Sequence, residues 1–245
     1  MQSRVLDVGA GWCGPADLLS SERDANVVAL TVSQAQSFYC LSHGHRSVHA
    51  DAETLSLVDT FGYDSFDVSF LLESLEHISN KRALLSRLRD VSSKLLIRTS
   101  CLKSSDVSVK MEFDNSMYVE SCESILSYVK ESGWILEDVQ YRESEVLPTH
   151  EEWRNRLLSL PSSLNREDNV IGAMVRAFNT TIPAGSPGSW FESHSLMEVV
   201  ARRPEVCCLC LFSRCWRTSL SHSLSLSYHT HTHTKTNKQI HIRSS

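Results

Sequence analysis

Positive charge is in short supply: 24 Lys and Arg stand against 29 Asp and Glu, a formal net charge of -5. A surface that grips nucleic-acid phosphates needs a basic excess, so no nucleic-acid partner is expected. No stretch approaches the roughly 20 consecutive apolar residues that cross a bilayer, so no membrane span is expected. Met1 to Arg4 lead directly into a strand-like run, so no signal peptide is expected. The eight cysteines lack the spacing of a zinc site or of a small secreted framework. Reduced thiols, a cytoplasmic location and no metal are the expectation. Nothing in the composition bears on oligomeric state.

What is present is an alternation. At 245 residues with 41% hydrophobic content, the chain suits one globular domain with an appendage. "RVLDVG", "NVVALT", "SVHA", "FDVSFLL" and "KLLIRT" read as strands. Helices are expected between them at Pro15 to Ser21, Ser33 to Leu41 and Ser79 to Val91. A further helix carries Tyr118, Cys122, Ile125, Leu126 and Val129 on one face and is ended by Gly133. "WILEDVQY" and "SLMEVVARR" read as two last strands, with helices expected between them at Glu151 to Leu158 and Glu167 to Phe178. Continuous apolar strands separated by helices predict a largely parallel sheet covered on both faces.

The pattern stops near Arg203, giving a domain over 1–203 and a low-complexity tail over 204–245. "CCLCLFSRCW" passes into "SLSHSLSLS" and "HTHTHTK", the alternations that dinucleotide repeats encode when translated. His229, His231 and His233 could hold a metal only as a tag does, because nothing fixes their geometry. Cys207, Cys208, Cys210 and Cys215 lack paired zinc spacing.

"DVGAGWCGP", Asp7 to Pro15, follows the first strand and carries Gly9-x-Gly11-x-x-Gly14. Glycines there let backbone approach a ligand, and the next helix aims its amide groups at it. A nicotinamide enzyme would place an acid at the end of the second strand, but that strand runs on as "ALTVSQAQ". The Gly-Lys-Ser/Thr ending of a phosphate loop is also absent. Asp7 would repel a pyrophosphate and welcome an ammonium.

An acid leading into Gly-x-Gly resembles the first motif of the class I S-adenosylmethionine-dependent methyltransferases. "HADAETL" falls where that family reads adenine, and "FDVSFLLESLEHI" is similar to its fourth strand and following loop. "LTVSQAQ" and "LEH" more narrowly resemble the cyclopropane and mycolic acid synthase group and related small-molecule methyltransferases. "EVLPTHEEWRNRL" resembles the segment after the sixth strand in enzymes of that type. The resemblance covers roughly Val5 to Arg203. It implies a Rossmann-like, seven-stranded α/β sandwich, mostly parallel, with an antiparallel last strand beside the sixth.

The same resemblance implies site roles. Gly9, Ala10 and Gly11 would cradle the methionine part of S-adenosylmethionine, with Asp7 near its ammonium. Thr31 and Gln36 would lie by the ribose, Asp51 and Ala52 by the adenine, and Leu72 and His77 along the methionyl side. Ser33-x-x-Gln36 is also a capping box, and Asp51 could simply open a helix. Glu73, Glu76 and His77 follow the fourth strand, where ligands bind in open sheets. His77 is the candidate proton acceptor, since its ordinary pKa suits neutral pH, with Glu76 orienting it or a bound anion. The acceptor pocket would be lined by residues 99–117 and 146–193.

Family members carry helices ahead of the first strand that cover the cofactor, whereas here that strand begins within a few residues of Met1. A fragment, a misplaced start and a lid recruited from a partner all fit. The expected function is methyl transfer from S-adenosylmethionine to a small-molecule acceptor at O, N or C. The alternatives are a truncated cofactor-binding pseudoenzyme acting through protein contacts and, behind it, an NAD-dependent oxidoreductase.

The tail's Ser, Thr and His content offers little apolar surface to bury. Deleting the residues after Glu205 is therefore expected to leave the thermal melt unchanged. A fall of several degrees would show that the tail packs.

Overall fold

The computed structural model describes residues 2–104, 117–160 and 194–205. The helix expected at Glu167 to Phe178, most of the expected acceptor pocket, and the cysteines and histidines of the tail lie outside them.

Seven strands form one sheet: β1 (Arg4–Val8), β2 (Asn26–Thr31), β3 (Arg46–His49), β4 (Phe66–Leu72), β5 (Ser92–Leu102), β6 (Ile135–Tyr141) and β7 (His194–Arg202). Their order across the sheet is β3-β2-β1-β4-β5-β7-β6. The first five strands run parallel to one another. β7 is antiparallel and lies between β5 and β6. The sheet thus matches the sandwich expected from the sequence, antiparallel last strand included. Because β2 and β4 flank β1 on opposite sides, the carboxyl end of β1 is a point where the chain order reverses. Open α/β sheets bind ligands at such a point.

Alternation along the strands builds two apolar layers. Leu6, Val8, Leu30 and Leu71 face one side, packing with α3 (Leu57–Phe61), α4 (Lys81–Val91) and α5 (Cys122–Glu131). Val5, Val27, Ala29 and Phe70 face the other side with Ala16 of α1 (Gly14–Arg23) and Cys40 of α2 (Gln34–Ser42). Local signals set the helix ends. Pro15 occupies the first turn of α1, where a missing N–H costs nothing. Ser33 caps α2, Asn80 caps α4 and Ser121 caps α5, each accepting a backbone N–H through its side chain. Gly133 follows α5 with φ +84°, a left-handed conformation that suits glycine.

Four details depart from the sequence reading. The helix expected from Tyr118 begins at Cys122, because Ser121 is its cap. The helix expected from Glu151 starts eight residues earlier, so that α6 runs Glu143–Ser159 with Pro148 inside it. Short α3 and a 3-10 turn at Leu75–His77 were invisible, being too brief to show a period. The fourth departure is a correction. Instead of reduced thiols, Cys13 is bonded to Cys40 and Cys101 to Cys122. The partners lie 27 and 21 residues apart in sequence, so no short spacing announced them. Folding brings their Cα atoms to 5.6 and 5.0 Å. No described helix is long and apolar enough to cross a membrane.

Peptide mapping of the non-reduced protein should recover Cys13 joined to Cys40 and Cys101 joined to Cys122. Reduction should then lower unfolding stability by roughly 2–4 kcal/mol per bridge. Free thiols at these four positions would overturn the pairing.

Candidate active site

The turn after β1 is held from two sides. The Gly9 and Ala10 amides both donate to the Leu30 carbonyl at the end of β2, at 2.8 and 3.1 Å. From the loop after β4, the buried Ser74 hydroxyl donates to the Val8 carbonyl at 2.6 Å. The two glycines then differ. Gly9 has φ +81°, and a Cβ on it would sit 2.4 Å from the Ser74 Cβ. Gly11 has φ +53° and nothing within 4 Å of such a carbon. Gly9 is required for the turn to close, while the space beside Gly11 is open.

That space belongs to a cavity of about 470 Å³ at the carboxyl ends of β1, β2 and β4. Of the residues expected at the site, Gly9, Gly11, Thr31, Gln36, Asp51, Ala52, Glu73 and His77 line it. Ala10 is buried under the turn, and Leu72 is half-buried and packs with Phe70 and its neighbours; neither lines the cavity. A larger groove of about 600 Å³ lies between the start of α4 and the end of α5. It lacks any glycine turn, and its Arg82 and Glu131 are already ion-paired. The strand-end cavity is therefore the candidate site.

At the end of β2 the Thr31 hydroxyl donates to the Gln36 side-chain oxygen at 2.8 Å and accepts from the Ser33 amide at 3.2 Å. Only half of the capping box forms. Ser33 accepts from the Gln36 amide, but the Gln36 side chain turns to Thr31 instead of back to Ser33. Asp51 accepts the Glu53 amide on Oδ1 at 2.8 Å, which folds the loop after β3 into a tight turn. It opens a turn and not a regular helix.

The loop after β4 carries two different carboxylates. Glu73 lines the cavity in a left-handed conformation, φ +51°, which a residue with a side chain rarely adopts. Its amide donates to the Arg98 carbonyl at 2.7 Å, and its side chain lies 3.8 Å from the Arg98 guanidinium. Such strain collects at functional sites. Glu76 points elsewhere. It is buried and accepts the Thr99 hydroxyl at 2.8 Å, so it neither caps α4 nor meets solvent. Burial raises its pKa, with its own backbone hydrogen bond and the Thr99 bond opposing. His77, exposed on the same 3-10 turn, lines the cavity. The Tyr118 amide donates to the Glu76 carbonyl, and buried Lys81 donates to the Ile78 and Tyr118 carbonyls. Those bonds fix the turn that bears His77.

Asp7 lies deepest. It is 2% exposed, and its Oδ2 has no hydrogen-bond partner. Burial pushes its carboxyl up to about 7. A buried carboxylate without a partner is costly unless a cation is brought close to it.

Residues 6–94 match the family model described as "Methyltransferase domain". That stretch holds the glycine turn and the loops after β2, β3 and β4, and it is similar to a methyltransferase domain. The chain is 25% identical over 187 residues to the O-methyltransferase cnsE of Penicillium expansum, covering 71% of this chain and 67% of that protein. Its fold is similar to the phosphoethanolamine N-methyltransferase 2 of Haemonchus contortus, solved with phosphomonomethylethanolamine and S-adenosylhomocysteine. That similarity has a TM-score of 0.68 at 20% identity over 84% of this chain, which spans about half (49%) of the Haemonchus protein. The cyclopropane synthase MmaA2 of Mycobacterium tuberculosis superposes with a TM-score of 0.66 at 14% identity, over 82% of this chain and 78% of that one.

Sequence reasoning missed three residues that shape this site: Ser74, Glu53 and Arg87. Ser74 and Glu53 line the cavity, and Arg87 holds the loop after β3 from outside. None belongs to a motif with its own spacing signal. Only the Gly9 turn, which demands a close neighbour, hinted at Ser74.

Asp7 gives a pH prediction. Its carboxyl stands near 7 in the fold against 3.8 ordinarily. Its favourable contribution is complete below about pH 4 and is lost as pH rises to about 7, because the unfolded chain ionises first. Asp7→Asn removes that loss. The stability of the variant relative to the parent should therefore grow between pH 4 and 7, by up to about 4 kcal/mol in denaturant melts. A difference flat with pH would mean that Asp7 ionises freely in the fold.

Proposed function

We propose that this domain transfers a methyl group from S-adenosylmethionine to a small-molecule acceptor at oxygen, nitrogen or carbon. The observation that carries this reading is the strand-end cavity, lined by the open side of Gly11, with the buried, unpartnered Asp7 two residues before Gly9 on the strand that leads into it. Its volume falls in the usual range for small-ligand sites. The donor set suits the cofactor. Asp7 offers negative charge below the turn for an α-ammonium group. Thr31 and Gln36 stand together at the end of β2 for ribose hydroxyls. Asp51 and Ala52 form the next edge for the base. No acid stands where a nicotinamide enzyme needs one, which sets the oxidoreductase reading aside.

When bound, S-adenosylmethionine supplies an activated methyl group on a sulfonium with a good leaving group. The protein's part is to align the acceptor with it, which can be worth up to roughly 7–11 kcal/mol. His77 takes a proton when the acceptor is a hydroxyl or a protonated amine. Glu76 acts through the fold: its bond to Thr99 anchors the turn that carries His77.

The test has two parts. Gly11→Val should abolish binding of S-adenosylhomocysteine, because its side chain enters the open space, and a thermal melt separates that effect from the strain of a β-branched residue at φ +53°. With an acceptor in hand, His77→Ala should lower turnover by about 10²–10⁴ at little-changed cofactor affinity. Glu76→Gln, which still accepts from Thr99, should stay within a few-fold of the parent. A folded Gly11→Val that binds normally removes the cofactor assignment. A fully active His77→Ala removes the base assignment alone.

A further inference from the structure

The loop after β3 is clamped from behind. Arg87, half-buried on α4, donates from Nη1 to the Leu55 carbonyl at 2.8 Å. Its Nη2 donates to the carbonyls of Ala52 at 3.0 Å and Glu53 at 2.8 Å. Three successive charge-assisted bonds from one planar group fix the orientation of three peptide planes, which a lysine could not do. A second tether runs the other way. The Glu53 carboxylate accepts the Ser79 hydroxyl and the Asn80 amide at the start of α4, at 2.7 and 2.8 Å. Inside the loop, the Asp51 carbonyl accepts the Thr54 and Leu55 amides while Asp51 Oδ1 accepts that of Glu53. Arg87 itself does not line the cavity that Asp51, Ala52 and Glu53 line.

We propose that Arg87 is a positioning residue that sets the base specificity of the cofactor site. It does so by holding the Asp51–Ala52 edge rigid enough to distinguish an aminopurine from an oxopurine. This rests on the assignment of the cavity to S-adenosylmethionine. The Asp51 side chain would accept a hydrogen bond from the exocyclic amino group of adenine. Hypoxanthine presents a carbonyl at the same place, and two acceptors repel. A carboxylate on a floppy loop would swing aside at little cost and admit both bases. Asp51 is itself committed on one oxygen to its own loop, so its aim depends on the loop staying folded. Arg87 supplies that constraint from outside the cavity and touches no cofactor atom.

The experiment compares S-adenosylhomocysteine with S-inosylhomocysteine by titration calorimetry on the parent, Arg87→Met and Arg87→Lys, with thermal melts of each. The parent should favour the adenine compound by about tenfold or more, the worth of one hydrogen bond made against one refused. In Arg87→Met, binding of the adenine compound should weaken by about that factor while the inosine compound changes little, so the preference collapses. Arg87→Lys reaches fewer carbonyls and should fall between the two. If Arg87→Met does not fold, the lysine variant carries the test alone. A folded variant that keeps the parent's preference, or loses affinity for both compounds equally, overturns the inference. A parent that binds neither compound instead overturns the cofactor assignment beneath it.

Discussion

The site depends on one tight contact, between the backbone at Gly9 and the side chain of Ser74. No room exists there for one more carbon. Through that contact the loop after β4 braces the turn after β1, while the Leu30 carbonyl pins the same turn to β2. Three strand ends are thereby locked together by one hydroxyl and one carbonyl. The cavity is what remains when three loops leave those ends in different directions. Enlarging Gly9 would force apart the strands that form its floor.

Around this point the polar groups divide into those that hold backbone and those that face the cavity. Ser74, Lys81, Arg87 and the Thr99–Glu76 pair all spend their hydrogen bonds on the frame. Thr31, Gln36, Asp51, Glu73 and His77 face the opening. α4 serves the first group from one end to the other. Asn80 caps it, Lys81 ties its first turn to the 117–121 segment, and Arg87 reaches the loop after β3. A helix that does not line the cavity thus holds two loops that do, the one after β3 through Arg87 and the one after β4 through the Lys81 bond to Ile78.

How much of this could be read in the sequence follows physical range. The strands were plain because each is a continuous apolar run between turn residues. The glycine turn was plain because its spacing reflects backbone conformation. Thr31 and Gln36 were legible as cavity residues, although their mutual bond was not, since a capping box predicts a different partner for Gln36. Glu76 shows the limit most clearly. Adjacent residues on a 3-10 turn point in very different directions, so "LEH" places two polar groups at the strand end without saying which faces the cavity. Arg87 lies more than 30 residues from the loop it holds and reads as an ordinary exposed-face residue of a helix. The disulfides escaped for the same reason, being products of the strand order and not of local spacing.

The two bridges lie at the carboxyl edge of the sheet, one joining the turn after β1 to α2 and the other the end of β5 to the start of α5. Their four cysteines share the chain with four more in the segment beyond Glu205. Eight thiols can pair in about a hundred ways, and only about three of these keep both bridges. A chain oxidised before its sheet has assembled can fall into the remainder. Renaturation should therefore let the parallel strands form under reducing conditions and admit oxidant afterwards, so that topology selects the pairs.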